Sequence, residues 1–412
     1  MIRALVLACM LVLFLGCHRD ERETPPGPAS SAVGTTPVAV APRGDPEHGK
    51  ALFAQFECNR CHTGPELDDT PLDKHCVRCH QQIHAGTYRA SATTLAKWQK
   101  TIVHFRDVPA LTSVGERLQG EWIARFLLNP VDLRPHMETT MPRLALSPDE
   151  ARDIAAYLTK NAPAAPPVSL EGASAAKGWE VFDAKGCRQC HQFTGAPAAR
   201  VEPLVKPDPH TPAAALAPDL RWARERVGAA ELVRWISDPQ AVKPGTLMPK
   251  LDLTPEEVKN VAAFILQSEL AQPPQKPVPA RLPVLARRVS YDEVSRRVFR
   301  NTCWHCHAEP DYAIGDGGPG NTGGFGFKPR GLNLAEYDGI NAGYIDDKGE
   351  RRSIFSAMPD GTPRLVAALV ARQREEAGQA DPALRGMPLG LPALSAEDVQ
   401  IVETWIAQGR PQ

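Results

Sequence analysis

Cysteine and histidine recur in this chain in one five-residue pattern, Cys-x-x-Cys-His. The pattern occurs four times, at Cys58–His62, Cys76–His80, Cys187–His191 and Cys303–His307. These motifs use eight of the ten cysteines, and a histidine follows the second cysteine each time. Thiolate sulfur and imidazole nitrogen bind transition metals, and thiols also form covalent bonds. The pattern therefore indicates four sites for a metal or for a covalently attached metal cofactor.

In an exported protein this spacing is typical of c-type haem attachment, in which both thiols bond to the haem vinyl groups and the histidine binds the iron. The predicted attachment residues are Cys58, Cys61, Cys76, Cys79, Cys187, Cys190, Cys303 and Cys306. The predicted proximal iron ligands are His62, His80, His191 and His307. We therefore predict four covalently attached haem c groups.

Two other interpretations apply to the same cysteines. Cys58, Cys61, Cys76 and Cys79 also have the spacing of a structural zinc ribbon, which uses four thiolates. A zinc ribbon does not require a histidine behind each cysteine pair, and both pairs have one. Disulfide bonds are common in oxidising compartments, but a two-residue gap between bonded cysteines is more typical of redox catalysts than of scaffolds. Haem attachment is the interpretation that accounts for the histidines.

The length and composition of the chain limit its architecture and its partners. The 412 residues are enough for roughly two to four compact domains. The net formal charge of −1 does not indicate a nucleic-acid partner. Prolines number 40 and aromatic residues make up 6% of the chain, which favours short helices joined by irregular loops. Each domain can be small because a bound porphyrin supplies part of its apolar core.

The first residues have the pattern of an export signal. Arg3 precedes an apolar run, Ala4 to Leu15, that is too short to span a membrane and predicts a signal peptide at residues 1–16. The run ends at Gly16-Cys17, which resembles a lipoprotein signal and predicts lipidation of Cys17; a cleaved signal with a spare cysteine is the alternative. Residues 17–44 predict a flexible linker. We therefore expect a periplasmic or cell-envelope protein with a lipid anchor in a membrane.

Three stretches of the chain repeat one arrangement and predict domains at residues 45–161, 175–270 and 290–412. Each begins with a helical apolar pattern whose phenylalanine precedes the first cysteine by four or five residues, at Phe53, Phe182 and Phe299. Each ends with Met-Pro and a capped helix, the caps being Ser147, Thr254 and Ser395. An aromatic residue follows each cap after ten residues, at Tyr157, Phe264 and Trp405.

This order of elements resembles the class I cytochrome c family, and the resemblance covers residues 45–412 as three tandem domains. It implies an all-α fold of small helical domains in which the first and last helices cross near the haem, with the three aromatic residues packed at the crossing. It also implies that Met141, Met248 and Met387 supply the distal iron ligand. Met137 and Met358 are the competitors, but the first lacks a following proline and the second lacks a capped helix in register.

The first domain departs from the repeat because an insertion before Pro109 carries the second motif. One domain is therefore expected to hold two haems, with only Met141 in the usual distal position. The candidates for the sixth ligand of the His80 haem are His75, His84, His104, His136 and Met137. We favour His104, which would give bis-His ligation, with His84 next; an open position is the alternative. His305, inside the third-domain motif, is expected to be a surface residue.

Six-coordinate iron leaves no position for a substrate, so electron transfer is the leading hypothesis and no catalytic residue is predicted. The chain would be a tetrahaem cytochrome that relays electrons between a redox protein donor and an acceptor, with a membrane respiratory complex as one candidate partner. The alternative is a haem enzyme, dihaem peroxidase-like or a small-oxyanion reductase, with open iron at the His80 haem. A haem-based sensor is a third hypothesis, which no accompanying signalling segment supports.

Overall fold

The computed structural model describes residues 44–412 except 65–69, 103, 105–106, 132, 138–140, 164–165, 197–211, 274 and 310–324. The predicted signal peptide, the lipidation site Cys17 and all of the predicted linker but its last residue lie outside the described residues, so these stay predictions. The described residues belong to one compact unit. Within them, every helix is too short or too polar to cross a membrane. We call residues 45–161, 175–270 and 290–412 the first, second and third segments.

The described residues of the first segment form five α-helices. They are α1 (Pro46–Gln55), α2 (Cys76–Ala85), α3 (Ala92–Thr101), α4 (Gly120–Leu128) and α5 (Pro148–Thr159). Short 3-10 turns at Cys58–Arg60, Leu72–Lys74 and Val114–Glu116 connect them. The insertion that carries the second motif therefore contributes α2 and α3, with the motif itself at the start of α2.

The second segment repeats the outer part of this arrangement. Its helices are α6 (Ala175–Ala184), α7 (Pro212–Leu216), α8 (Ala223–Arg226), α9 (Ala229–Ser237), α10 (Pro239–Val242) and α11 (Pro255–Gln267). Its 3-10 turns are Cys187–Gln189 and Leu220–Trp222.

The third segment is helical with a small strand pair. Its helices are α12 (Tyr291–Val294), α13 (Tyr337–Ala342), α14 (Arg364–Glu376) and α15 (Ala396–Ala407), and a π-helical stretch, Ser295–Cys303, continues α12. Strands β1 (Tyr344–Ile345) and β2 (Arg351–Arg352) are antiparallel, with Tyr344 opposite Arg352. The described part of the chain is thus mostly helical, which confirms the all-α prediction.

The last helix of each segment begins at the residue that the sequence predicts. Ser147 and Glu150 form a capping box at α5, and Thr254 and Glu257 form one at α11. Ser395 caps α15 by accepting a hydrogen bond from the backbone N–H of Asp398 at 3.0 Å. These bonds satisfy N–H groups that have no partner inside the helix, so each cap fixes where its helix starts.

First and last helices cross in each segment, α1 over α5, α6 over α11, and the Ser295–Cys303 stretch over α15. The first two crossings are so close that a Cβ at Gly49 would lie 1.9 Å from the Asp153 carbonyl oxygen, and one at Gly178 would lie 2.0 Å from that of Asn260. In the third crossing the corresponding small residue is Ser295, which is buried. Small residues at these positions therefore allow the backbones to touch.

The predicted aromatic residues pack at these crossings. Ring centroids of Phe53 and Tyr157 are 5.7 Å apart, those of Phe182 and Phe264 are 5.4 Å apart, and those of Phe299 and Trp405 are 6.1 Å apart. Each pair belongs to a separate hydrophobic core. The repeated pairs thus build three cores of one type, each beside a Cys-x-x-Cys-His motif.

Candidate haem-binding sites

Three of the four motifs fold into tight turns that bring the histidine back towards its own first cysteine, and the second motif forms the start of α2. The backbone N–H of His62 bonds to Cys58 O at 2.9 Å, and those of His191 and His307 bond to Cys187 O and Cys303 O, both at 3.0 Å. All eight motif cysteines are half-buried, and none is bonded in a disulfide. The described residues therefore contain no disulfide within a motif. Among them, no three His, Cys, Asp or Glu side chains lie close enough together to hold a metal ion.

Backbone carbonyls orient three of the four motif histidines. His62 Nδ1 lies 2.8 Å from Pro109 O, and His191 Nδ1 lies 2.9 Å from Pro218 O. His80 Nδ1 lies 2.9 Å from His104 O. Because a carbonyl oxygen only accepts, Nδ1 carries the proton in each case, which leaves the Nε2 lone pair for a metal.

The environment also keeps these imidazoles uncharged. Burial lowers the pKa of His62 and of His191. The pKa of His80 is lowered to about 4, chiefly by burial and to a smaller extent by the electrostatic effect of nearby groups that include His305. A neutral imidazole is the form that binds a metal, so these three side chains are held in the state that iron ligation requires.

The fourth motif histidine differs. Burial lowers the pKa of His307 to about 4, but its buried Nδ1 has no hydrogen-bond partner among the described residues. Its carbonyl oxygen accepts from the backbone N–H of Leu334 at 2.6 Å, which ties the motif to the third core.

One large cavity joins the first and third motifs, and we call it the shared cavity. Its volume is about 1220 Å³, more than the roughly 300–1,000 Å³ of a pocket for a single small molecule. Its lining includes Cys58, Cys61, His62, Met141, Cys187, Cys190, His191 and Met248. The shared cavity thus contains two complete sets of attachment cysteines, proximal histidine and Met-Pro methionine, and most of its remaining lining is apolar.

Beside Met248, the Met-Pro methionine of the second segment, lies a residue that the motifs of the sequence did not indicate. Trp235 Nε1 donates a hydrogen bond to Met248 Sδ at 2.9 Å, which fixes the position of the thioether. Phe126 lines the same cavity at the corresponding place on α4. A repeated pattern could have found both, because Arg-aromatic-x-x-Asn/Asp-Pro occurs at residues 125–130 and 234–239.

The competing methionines occupy different surroundings. Met137 also lines the shared cavity, where Arg134 Nη1 lies 3.9 Å from its sulfur. Met387 packs against the third core. Met358 lies in a turn, where its N–H donates to Thr362 O at 2.8 Å. Ligation by Met387 in the third segment stays a prediction.

The second motif lies next to the first, since the thiols of Cys61 and Cys76 are hydrogen-bonded. This hydrogen bond and burial both raise the pKa of Cys61. His75 accepts a hydrogen bond from the backbone N–H of Arg78 at 3.2 Å and so caps α2. His84 Nε2 lies 2.5 Å from Ile102 O.

Two further candidates for the sixth ligand of the His80 haem, His104 and His136, both line the shared cavity. His104 supports His80 through its backbone carbonyl, a contribution that no side-chain pattern indicates. Its proposed side-chain ligation stays a prediction. His305 is exposed, as expected, but its charge acts on His80, so the second and fourth motifs are neighbours.

The third segment also contacts the first beside the distal loops. Glu375 Oε1 accepts from the backbone N–H of Gly386 at 2.9 Å and from Arg143 Nη1 at 3.2 Å. Gly386 precedes Met387, and Arg143 follows Met141-Pro142. One buried carboxylate therefore ties together the two Met-Pro loops.

Comparison with known proteins identifies one part of the chain. Residues 175–269 match the family model described as Cytochrome c. Neither the curated proteins nor the solved structures gave a match. The match spans the second segment, including its Cys-x-x-Cys-His motif and Met248-Pro249.

Proposed function

We propose that the whole chain is a tetrahaem c-type cytochrome that relays electrons. The premise is that residues 175–269 are a cytochrome c domain. The observation that carries this proposal is a shared histidine geometry. His191 of the matched domain donates Nδ1–H to a backbone carbonyl at 2.9 Å, and His62 and His80, outside the match, do the same at 2.8 and 2.9 Å. Two motifs outside the matched domain thus repeat the histidine-to-carbonyl hydrogen bond of that domain.

The residues of each site fit a covalently attached haem c. Paired thiols would hold the porphyrin and a neutral imidazole would bind the iron; at three of the four sites the Met-Pro methionine would supply the second ligand, and at the His80 site His104 would do so. A thioether is a soft ligand that stabilises Fe(II), so bound haem would supply reversible one-electron chemistry at a raised potential. With both ligand positions filled by the chain, the iron would have no position left for a substrate, which favours electron transfer over substrate binding.

Contacts between the sites support a relay instead of isolated centres. The Cys187 and Cys58 sites share one cavity, and the Cys58 and Cys76 sites are joined by the contact of Cys61 with Cys76. The Cys76 and Cys303 sites are neighbours through His80 and His305. The spatial order that these contacts favour therefore begins at the second segment, passes through both sites of the first, and ends at the third.

The partners follow from this arrangement. The two ends of the relay would meet a redox protein donor and a redox protein acceptor, and a membrane respiratory complex is one candidate. Export and a lipid anchor at Cys17 would keep the protein in the cell envelope, beside such a complex. Nothing in the charge pattern indicates a nucleic-acid partner.

The proposal is tested by counting and titrating the haems of the full-length protein. Mass spectrometry should give a mass increase of four haems, and a redox titration followed by low-temperature electron paramagnetic resonance should show four low-spin centres. A smaller haem count, or iron that is mostly high-spin in the pure protein, would refute a tetrahaem relay. Peroxide or oxyanion turnover at a high-spin centre would instead favour the haem enzyme with open iron at His80.

A further inference from the structure

Four of the six Lys and Arg side chains on the wall of the shared cavity are linked by mutual electrostatic repulsion, and we call these four the cationic cluster. They are Arg117, Arg134, Arg226 and Lys243. The first two belong to the first segment and the last two to the second. The cluster is therefore built from residues of both segments, on the cavity wall that also includes both sets of predicted iron ligands.

The members of the cluster repel one another. Burial is the largest cause that lowers the pKa of Arg226, to about 10, and the charges of Arg134 and Arg117 lower it further. Burial and the same two arginines also lower the pKa of Lys243. Bringing four like charges into an apolar cavity is unfavourable unless anions join them.

The described part of the chain supplies no carboxylate that forms an ion pair with these cations. Arg226 Nε is buried and has no hydrogen-bond partner there, and its guanidinium carbon lies 5.3 Å from the ring centroid of Trp122. Arg134 Nη1 donates to the backbone oxygen of Asp107 at 2.7 Å. Arg117 Nη2 donates to that of Thr112 at 3.4 Å. None of the ion pairs formed by described residues includes a member of the cluster.

The carboxylates on the cavity wall do not neutralise the cluster. They are Asp107, Glu116, Asp219 and Glu231. Glu116 and Asp107 act on Arg117 and Arg134 only at a distance, and burial outweighs their effect on the pKa of both arginines. Asp219 Oδ1 is occupied by the backbone N–H groups of Thr194 and Arg221, at 3.0 and 2.9 Å.

The backbone holds the cluster in place. The N–H of Gln119 donates to Arg226 O at 2.8 Å, and the N–H of Asp219 donates to Leu133 O at 2.8 Å. Both bonds cross between the segments, and Leu133 directly precedes Arg134. The cluster is thus part of a built junction between the segments, not a chance meeting of long surface side chains.

We propose that the cationic cluster binds the propionate carboxylates of both haems of the shared cavity, those attached at Cys58 and Cys61 and at Cys187 and Cys190. The proposal rests on the proposed function to the extent that both haems are present. Two haems bring four carboxylates to four cations, and an arginine fork matches the geometry of a carboxylate. Residues of each segment would then position the haem of the other, and the two irons would share one electrostatic environment.

The test replaces Arg226 by methionine in the full-length haem-loaded protein. A nearby cation destabilises Fe(III) relative to Fe(II), and its loss also leaves a propionate unpaired, so both effects lower a midpoint potential. For Arg226→Met we expect the potentials of both haems of the shared cavity to fall and those of the other two to stay. The potentials are followed by nuclear magnetic resonance of the methionine methyl groups bound to reduced iron.

Arg125→Met is the matched control. Arg125 lies at the same junction, but it is exposed and pairs with Glu225 at 3.4 Å. Its loss should leave all four potentials unchanged. Arg226→Lys, which keeps a charge, should restore part of the shift, and Lys243→Met should lower the same two potentials even if Arg226→Met fails to fold.

Three outcomes would overturn the proposal. One is a set of unchanged potentials in both Arg226→Met and Lys243→Met. Another is a shift confined to the haem of one segment. The third is a shift of wild-type potentials on titration with inorganic phosphate, because it would assign the cluster to a free anion. A haem count below four in the wild type refutes the tetrahaem function instead, so the two failures are distinguishable.

Discussion

At the scale of single residues, the predicted methionine ligands would decide whether the iron at their sites can bind exogenous ligands. Met141 and Met137 both line the shared cavity, and only Met141 is followed by proline. For Met141→Ala we expect about one quarter of the haem iron to become high-spin and to bind carbon monoxide, because one of four sixth ligands is lost. The absorption spectrum of the reduced protein under carbon monoxide measures this.

Met137→Ala is the matched control and should leave the iron low-spin. A high-spin signal in Met137→Ala and none in Met141→Ala would assign the ligand to Met137 instead.

The sixth ligand of the His80 haem is a second question at this scale. His104 supports His80 through its carbonyl, which a side-chain substitution retains. For His104→Ala we therefore expect the position of His80 to be kept, while the bis-His electron paramagnetic resonance signal is replaced by a high-spin signal. If His84→Ala removes that signal and His104→Ala does not, His84 is the ligand. If neither does so, bis-His ligation by these residues is wrong.

At the scale of helices, the crossings depend on residues without bulk. An alanine methyl at Gly49 would overlap the Asp153 carbonyl oxygen in α5, at 1.9 Å. We expect Gly49→Ala to lower the free energy of unfolding by about 1–3 kcal/mol, the usual cost of overpacking. Thermal unfolding of the haem-loaded protein measures the change.

Gly120, in the first turn of α4, is the matched control. A Cβ at Gly120 would make only ordinary contacts, the nearest with Thr159 Oγ1 at 3.7 Å. Gly120→Ala should therefore be neutral or stabilising by up to about 1 kcal/mol, because alanine favours a helix more than glycine does. Equal destabilisation by both substitutions would show that the α1–α5 crossing is not the cause.

The helices also show what a sequence can and cannot predict. The starts of α5, α11 and α15 were predictable because a cap acts on N–H groups three residues away. The role of His104 was not predictable, because it uses a backbone carbonyl, whereas that of Trp235 is indicated only by comparing the Arg-aromatic-x-x-Asn/Asp-Pro pattern of two segments. The cationic cluster joins Arg117 to Arg226 across more than a hundred residues of sequence, and no local pattern encodes such a meeting.

At the scale of the whole molecule, Glu375 links two distal loops. Its side chain is 5% exposed and accepts from Arg143 of the first segment and Gly386 of the third. Glu375→Gln should destabilise the protein by about 1–3 kcal/mol, the usual range for a hydrogen bond to a charged group. It should also alter the iron–sulfur absorption bands of the Met141 and Met387 haems together.

Glu350→Gln is a control at an exposed ion pair with Arg352 and should change stability by less than about 0.5 kcal/mol. Denaturant unfolding and the absorption spectrum provide both readouts. A change at one methionine site only would contradict the link through Glu375.

The shared cavity has a consequence for how the protein matures. Because residues of two segments form its walls, neither segment alone would enclose a haem bound there, and the first segment is synthesised before the second. The apolar residues with which the first segment lines the cavity would therefore stay exposed to water until residues 175–270 have been synthesised and have bound a porphyrin. Haem delivery to the second segment thus becomes a step in the folding of the first, and a chain that is loaded at only one of these motifs should be recognised and degraded as incomplete.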